Sequence, residues 1–495
     1  MTKNTSAFGS LSGRNGPIQR WADKDLGRRD FMRAAGVTGL LAGGSMLLAA
    51  CSPAGGGGGG GGSLPTSKAY TADAATKLND SLDWGKSAIA DPSSTVTLTV
   101  AHSWSPGDFV RQQQFDYFFQ KRHPNISIKA ENSGDSSANF LTKYLSQASG
   151  GTLPDVMFNG FGFAQLFISG GSFLALDDYI AKEPNFNLAD FTKPSTGYYK
   201  ANGKLYSIPY DCGPVMLYYN KDLFDKASVA YPDSTWTLDT LRANAKKLTS
   251  GDGPTKVFGI APQLTPTDGM MDPVRLKPLG GAYLSEDESQ VLIDQPDSIA
   301  AMQWWADIFL VDGSTPSPAE LQAMQSDPFT LGKVAMNING SWSVPSLRDH
   351  ATFKWAITDW PAGTKTQSTA AVGSAYSITA KTANPDAAWL YLNEYISTAG
   401  QIFITASTGR GSMSRNSAWP AYLKSDLAPE GAQAIYDALN TYATSDGVVF
   451  GSASTAINNA VNPIWDQVLA KSLPVEDACK QIATAIKPLL VKNSA

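Results

Sequence analysis

Cysteine is scarce in this chain: three in 495 residues, Cys51, Cys212 and Cys479, far apart. That spacing excludes a disulfide framework and leaves one long-range bridge between Cys212 and Cys479, or two separate buried thiols. Histidine is equally scarce. His102, His123 and His350 stand apart, with no His-Glu-x-x-His or Cys-x-x-Cys spacing, so no zinc site is expected. Positive charge is not in excess: 39 Lys and Arg against 44 Asp and Glu leave a formal charge of -5. No basic field exists to hold nucleic acid. Enzyme signatures are missing as well. There is no Gly-x-Ser-x-Gly elbow, "GKS" at Gly85 lacks the upstream glycine of a phosphate-binding loop, and Gly-x-Gly-x-x-Gly occurs only inside a run of glycines. No cofactor is called for.

What is present begins with "GRRDFMRAAGVTGLLAGGSMLLAACSPAGGGGGGGGS", Gly27 to Ser63. A basic flank, a short apolar core and small residues before a cut site read as an export address. The apolar run Ala34–Ala50 is interrupted by four glycines and falls short of the ~20 residues of a membrane helix. Arg28 and Arg29, followed by Phe31 and Met32, resemble the twin-arginine signal. Leu48, Ala49, Ala50 and Cys51 resemble a lipobox, in which Cys51 takes the acyl chains and becomes the new N-terminus. Each buried CH₂ contributes ~0.8 kcal/mol, so two or three chains hold a protein on the membrane. Residues 1–50 are therefore expected to be signal and 51–94 a lipid-anchored glycine-rich linker and spacer. Within that spacer Ala, Ser, Thr and Asp dominate, with a short helix expected around Ala74–Trp84.

The remaining four hundred residues suffice for two or three domains with sizeable cores. "TVTLTVAHSW" alternates as a first strand, and "FVRQQQFDYFFQKRHP" places Phe109, Phe115, Phe118 and Phe119 at helical spacing. "NISIKAEN" reads as a second strand, "SSANFLTKYLSQASG" as a helix and "LPDVMFNG" as a third strand. This order implies a parallel sheet, whose ligands bind beyond the carboxyl ends of its strands. "HSWSPGD", "ENSGDSS" and "FNGFGF" then share one rim. Downstream, "GKLYSIPYDCGPVMLYYNKDLF" reads as strands crossing between lobes. "WTLDTLRANAKKLTSG" is a helix capped by Thr237 that buries Leu238, Leu241, Ala245 and Leu248. Trp304, Trp305 and Trp389 lie on helices and are expected in cores.

"GTLPDV", "GKLYSIPYD", "LYYNKDLFDKA", "WTLDTL", "AMNINGSW" and "NPDAAWLYL", taken in order between Val96 and Arg415, resemble the family 1 extracellular sugar-binding proteins of ABC importers, the family of maltose-binding protein. The resemblance implies an α/β, two-lobed periplasmic-binding-protein-like fold, with a hinge crossed three times and a ligand cleft between the lobes. It assigns 95–210 and about 373–425 to lobe 1, and 211–372 and about 426–495 to lobe 2. It also implies a monomer whose partners are a sugar and the transmembrane permease subunits. Two departures stand out: the spacer before Ser94 and Cys212, where tryptophan is common.

A sugar presents hydroxyls that need hydrogen-bond partners and a C–H face that favours aromatic rings. The rim loops supply both kinds of group in Ser103, Trp104 and Asp108, in Ser136 beside Asp135, and in Asn159, Phe161 and Phe163. Further candidates are Tyr210, Asp211, Ser341, Trp342, Arg410 and Arg415, with His102 as a neutral polar lining residue. Trp342, within "NGSW", matches a family position that stacks on sugar. Two other functions compete with capture and transport. An exported carbohydrate-active hydrolase needs two carboxylates ~5 to 9.5 Å apart, for which Asp108, Asp155 and Asp211 are available, although Asp155 in "LPDV" reads as structural. A cell-surface adhesin would show an exposed apolar patch.

Overall fold

The structure is a computed structural model that describes residues 63–134, 137–184, 186–261, 272–285, 289–445 and 454–491. Arg28, Arg29, Cys51, Asp135 and Ser136 lie outside the described residues. Helix α1 (Ala72–Ser81) is followed by β1 (Val96–His102), α2 (Pro106–Arg122), β2 (Ile126–Asn132), α3 (Ser137–Gly150) and β3 (Val156–Gly160), as the sequence pattern predicts. Strand β4 (Ile208–Pro209) leads to β5 (Gly213–Asn220), α4 (Leu238–Leu248), β6 (Phe258–Ala261), α5 (Pro296–Leu310) and β7 (Val334–Gly340). Then come α6 (Val344–His350), β8 (Trp355–Thr358), β9 (Thr369–Val372), β10 (Ser374–Ile378) and α7 (Pro385–Tyr395). Strand β11 (Ala443–Thr444) and helices α8 (Ser454–Leu469) and α9 (Val475–Val491) follow.

Two separate sheets organise these elements. The first has the order β2-β1-β3-β10-β4 and the second β11-β9-β5-β7-β6, with β8 also paired to β5. In the first sheet β1 pairs with β2 and β3 in parallel, as alternation of strand and helix requires. Strand β10 then enters antiparallel, with Gly160 opposite Ser374, so the sheet is mixed rather than wholly parallel. It arrives from the second sheet: β9 and β10 are separated by Gly373 alone. The chain also passes from one sheet to the other between β4 and β5. The core of lobe 1 ends at Ile404, and Ala406, Met413 and Trp419 already belong to the core of lobe 2. The return to lobe 2 therefore falls about twenty residues before the expected 426, because "STGRGSMSRNS" lies across the junction rather than inside lobe 1.

Local sequence explains the supports. Thr237 caps α4 by accepting the Thr240 N–H, and Leu238, Leu241, Ala245 and Leu248 are all buried beneath it. Trp389 and Trp305 are core residues as expected, while Trp304 is half-buried under Arg242. Cys212 and Cys479 are free buried thiols in separate clusters, so no bridge joins them.

The spacer is the main departure from the sequence reading. Residues 63–94 form an ordered strap docked on lobe 1, with α1 in place of the expected helix around Ala74–Trp84. A few single anchors hold it. Trp84 packs between Phe115 and Phe403, with the Arg122 guanidinium 3.9 Å above its ring. Ser87 Oγ and Ala88 N–H donate to Glu183, which also accepts from Trp389. His123 bridges Asp91 of the strap and Glu394 of α7, and Glu394 is held from the other side by Arg122.

Burial alone would lower the His123 value, but its hydrogen bonds to Glu394 and Asp91 outweigh this and raise it above 6.5. A histidine raised by folding contributes stability that is fully present below 6.5 and is lost as pH rises through the raised value, and the part carried by the Asp91 bond is what ties the strap down. Protease cleavage within 83–92 is therefore expected to quicken between pH 6 and pH 8.5. In His123→Gln cleavage should be faster throughout and flat with pH. An equal pH slope in the variant would show that His123 does not control docking.

Candidate ligand cleft

Where the two sheets exchange strands, the surface opens into a cleft of about 640 Å³. One wall comes from lobe 1: Ser103, Ser105, Gly107 and Asp108 at the start of α2, with Phe158 and Phe161 at the end of β3. The floor is the pair of crossing segments, Tyr210–Asp211 and Val372–Ser374. The opposite wall is Trp342 after β7 and Pro345, Ser346, Asp349 and His350 along α6, with Arg410 closing one end. Three carboxylates therefore meet one guanidinium and four aromatic side chains, Phe158, Phe161, Tyr210 and Trp342.

The geometry of each group follows from its support. Ser105 caps α2 and its hydroxyl accepts the Asp108 N–H, which holds Asp108 at the helix start facing the cleft. Asp211 accepts the Ser374 N–H across the two crossings, and Arg410 Nη2 stands 3.8 Å from its other oxygen. Burial pushes the Asp211 carboxyl up to about 6, against the pull of Arg410 and the Ser374 N–H, which favour the charged form. Arg410 in turn lies 5.1 Å over the Trp104 ring. Trp342 rests on backbone: a Cβ at Gly340 would stand 2.1 Å from its ring, so only glycine leaves the indole its seat. The side chain is half-buried and lines the cleft.

Of the residues predicted from sequence, Ser103, Asp108, Phe161, Tyr210, Asp211, Trp342 and Arg410 come together in the cleft. The others are placed elsewhere. Asn159 is fully buried and donates to Ser207 and Ser377 across the first sheet, because it points to the face of β3 opposite the cleft. Phe163 fills the lobe 1 core against Phe140 and Phe158. Trp104 is buried beneath Arg410, so it supports the cleft without lining it. Ser341 is buried at the foot of β5 next to Gly213. Arg415 turns away to pair with Asp190, 3.2 Å distant, and to cover Phe191. His102 is enclosed in the core with Nδ1 on the Tyr376 hydroxyl, and burial pushes its value down to about 3, which keeps it neutral. Asp155 is structural, accepting from Thr99 and Thr382.

Sequence reasoning missed Ser105, Ser346, Asp349 and His350. A signal existed: a helix starting directly after "NGSW", whose tryptophan is a candidate site residue, turns one face toward the same opening. Positions 346, 349 and 350 are three and four apart, which is one helix face.

Two lobes joined by crossing strands over a polar and aromatic cleft define a solute-binding protein. Among the described residues no cluster of His, Cys, Asp or Glu is arranged to hold a metal ion. No described helix is long and apolar enough to cross a membrane. Residues 104–402 match the bacterial extracellular solute-binding protein family, and the chain belongs to that family. It is a binding protein and not an enzyme. A binding protein of Brucella abortus is 26% identical over 305 residues, covering 60% of this chain and 71% of that one. The lactose-binding protein of Rhizobium radiobacter is 26% identical over 344 residues, covering 67% and 78%. A substrate-binding protein of Listeria monocytogenes, solved with cycloalternan, superposes with a TM-score of 0.69 at 23% identity over 80% of this chain and 99% of that one.

Proposed function

We propose that this chain captures a sugar or oligosaccharide outside the cytoplasm and delivers it to the permease of an ABC importer, leaving the ligand intact. The observation that carries this reading is the pairing of Trp342 and Phe161 with Asp108, Asp211, Asp349 and Arg410 around one cleft. Aromatic faces suit the C–H side of a sugar ring, and charged acceptors and donors suit its hydroxyls. The lactose-binding relative agrees in ligand class. Closure follows from energetics: a ligand that touches both walls favours the state in which they approach, and the crossings near Tyr210–Pro214 and Val372–Ser374 absorb the rotation. In the same reading Arg28 and Arg29 direct export by the twin-arginine route, acylated Cys51 holds the chain at the membrane, and the receptor acts as a monomer.

A thermal-shift screen of mono- and oligosaccharides on the purified chain tests the proposal. A ligand at one hundred times its Kd is expected to raise stability by ~2.7 kcal/mol and to be recovered unchanged. Release of reducing ends, abolished by Asp108→Asn or Asp211→Asn, would make the cleft a hydrolase site.

A further inference from the structure

We propose that Tyr70, carried by the docked N-terminal strap, is a positioning residue of the cleft that fixes the Asp108 carboxylate in the orientation a bound sugar meets. The proposal rests on the reading of the cleft as a sugar site. The Tyr70 hydroxyl donates to Asp108 Oδ1 at 2.8 Å, and the Ser105 hydroxyl lies 3.1 Å from Oδ2. Each carboxylate oxygen is thus tied by one neighbour and keeps a lone pair for the cleft, since an ionised carboxylate offers about four acceptor positions. Tyr70 is buried and does not line the opening, so it reaches a ligand only through Asp108. Burial, reinforced by Asp108, raises the phenol well above its ordinary value, which keeps the hydroxyl a proton donor.

The strap is built to hold this one side chain still. A turn closes Ser67 against Tyr70 through reciprocal backbone hydrogen bonds of 3.1 and 3.2 Å. Gln114 Nε2 donates to the carbonyls of both Pro65 and Tyr70. The Arg111 guanidinium lies between the rings of Tyr70 and Phe403, 4.7 and 5.0 Å from their centroids. Arg111 is 5% exposed and its Nε and Nη1 have no hydrogen-bond partner among the described residues, so the two rings offset its burial. Asp108, Arg111 and Gln114 recur every third residue along α2, one stripe of the helix that meets the strap. A segment serving only as a spacer has no need to contact the cleft's own carboxylate.

Tyr70→Phe removes one oxygen and keeps the ring under Arg111. In the full chain, hydrogen exchange of the amides of 103–108 is measured without sugar, and affinity for lactose, maltose and maltotriose by calorimetry. The 103–108 amides are expected to exchange faster in the variant. The Kd of whichever of these sugars binds is expected to rise about tenfold, the range of a hydrogen bond to a charged group, with little change in melting temperature. In an Asp108→Ala background the same substitution should change Kd less than about twofold, since the acceptor is gone. Unchanged exchange at 103–108, an unchanged Kd, or additive effects of the two substitutions would each overturn the proposal. If the wild-type chain binds none of the three sugars, the sugar reading fails for those ligands while the exchange measurement still decides whether Tyr70 orders the rim.

Discussion

Trp342→Ala is expected to weaken sugar binding about thirtyfold while leaving the unliganded protein close to its original stability. The indole is half-buried, seated on Gly340 and facing the cleft. Truncation removes the apolar platform and opens part of the dry wall. Stacked rings contribute ~0.5 to 1.5 kcal/mol beyond area burial, and loss of a central aromatic at a site commonly costs about 2 kcal/mol, which is the thirtyfold. A tryptophan that served the core would behave in the opposite way and cost ~3 to 5 kcal/mol of folding stability. Melting and affinity measured on the same variant separate the two roles. A large fall in melting temperature with unchanged affinity would remove Trp342 from the site.

The second large effect is expected at Gly373, the single residue between β9 and β10. A Cβ there would lie 2.2 Å from the Asp211 carbonyl oxygen and 2.9 Å from the Cys212 Cα. Both neighbours are backbone of the other crossing and cannot swing aside as a side chain can. The Gly373 carbonyl also accepts from the Tyr199 hydroxyl and the Phe161 N–H, so moving it disturbs the lobe 1 wall. Gly373→Ala is expected to cost about 3 kcal/mol, the upper range for overpacking, and to lower ligand affinity by separating the floor of the cleft. Gly107→Ala is the control. No described residue stands within 4 Å of its added carbon, and at a helix start it should be neutral or stabilising by up to about 1 kcal/mol. Equal melting temperatures for the two variants would show that the crossings do not need to touch.

Legibility from sequence depended on how many residues carried each signal. The order of β1, α2, β2, α3 and β3 was readable because each element spans several periodic positions, and the buried stripe of α4 was readable for the same reason. Asp211 and Tyr210 were readable from a motif at a sheet-to-sheet crossing, and Trp342 from the family resemblance of "NGSW". Asn159, Phe163 and Arg415 lay in the expected loops or strands but face away from the opening. Which way a side chain points at a strand end depends on a shift of one residue, and that is decided by tertiary pairing such as Gly160 with Ser374. The strap escaped notice because its composition is diluted by Ala, Ser, Thr and Asp. Its binding rests on isolated contacts, chiefly Tyr70, Trp84, Ser87 and Asp91, which an average over the segment hides.

The threading of β10 between β3 and β4 has a consequence for how the molecule is made. Emerging from the ribosome, the first half of lobe 1 has β1, β2 and β3 in hand but lacks β10, the strand that pairs with the other edge of β3, and β10 follows all of β5 to β9. Lobe 2 in turn waits for α8 and α9, which pack against α5 from the far end of the chain. Pairings so distant in sequence carry a large loop-closure entropy and form late. Neither lobe is therefore a finished folding unit when its own first segment is complete, and both sheets close within the last quarter of synthesis. The hydrophobic edge of β3 stays open until then, so the chain spends most of its synthesis in a state that a chaperone can hold and a hinge cannot yet bend.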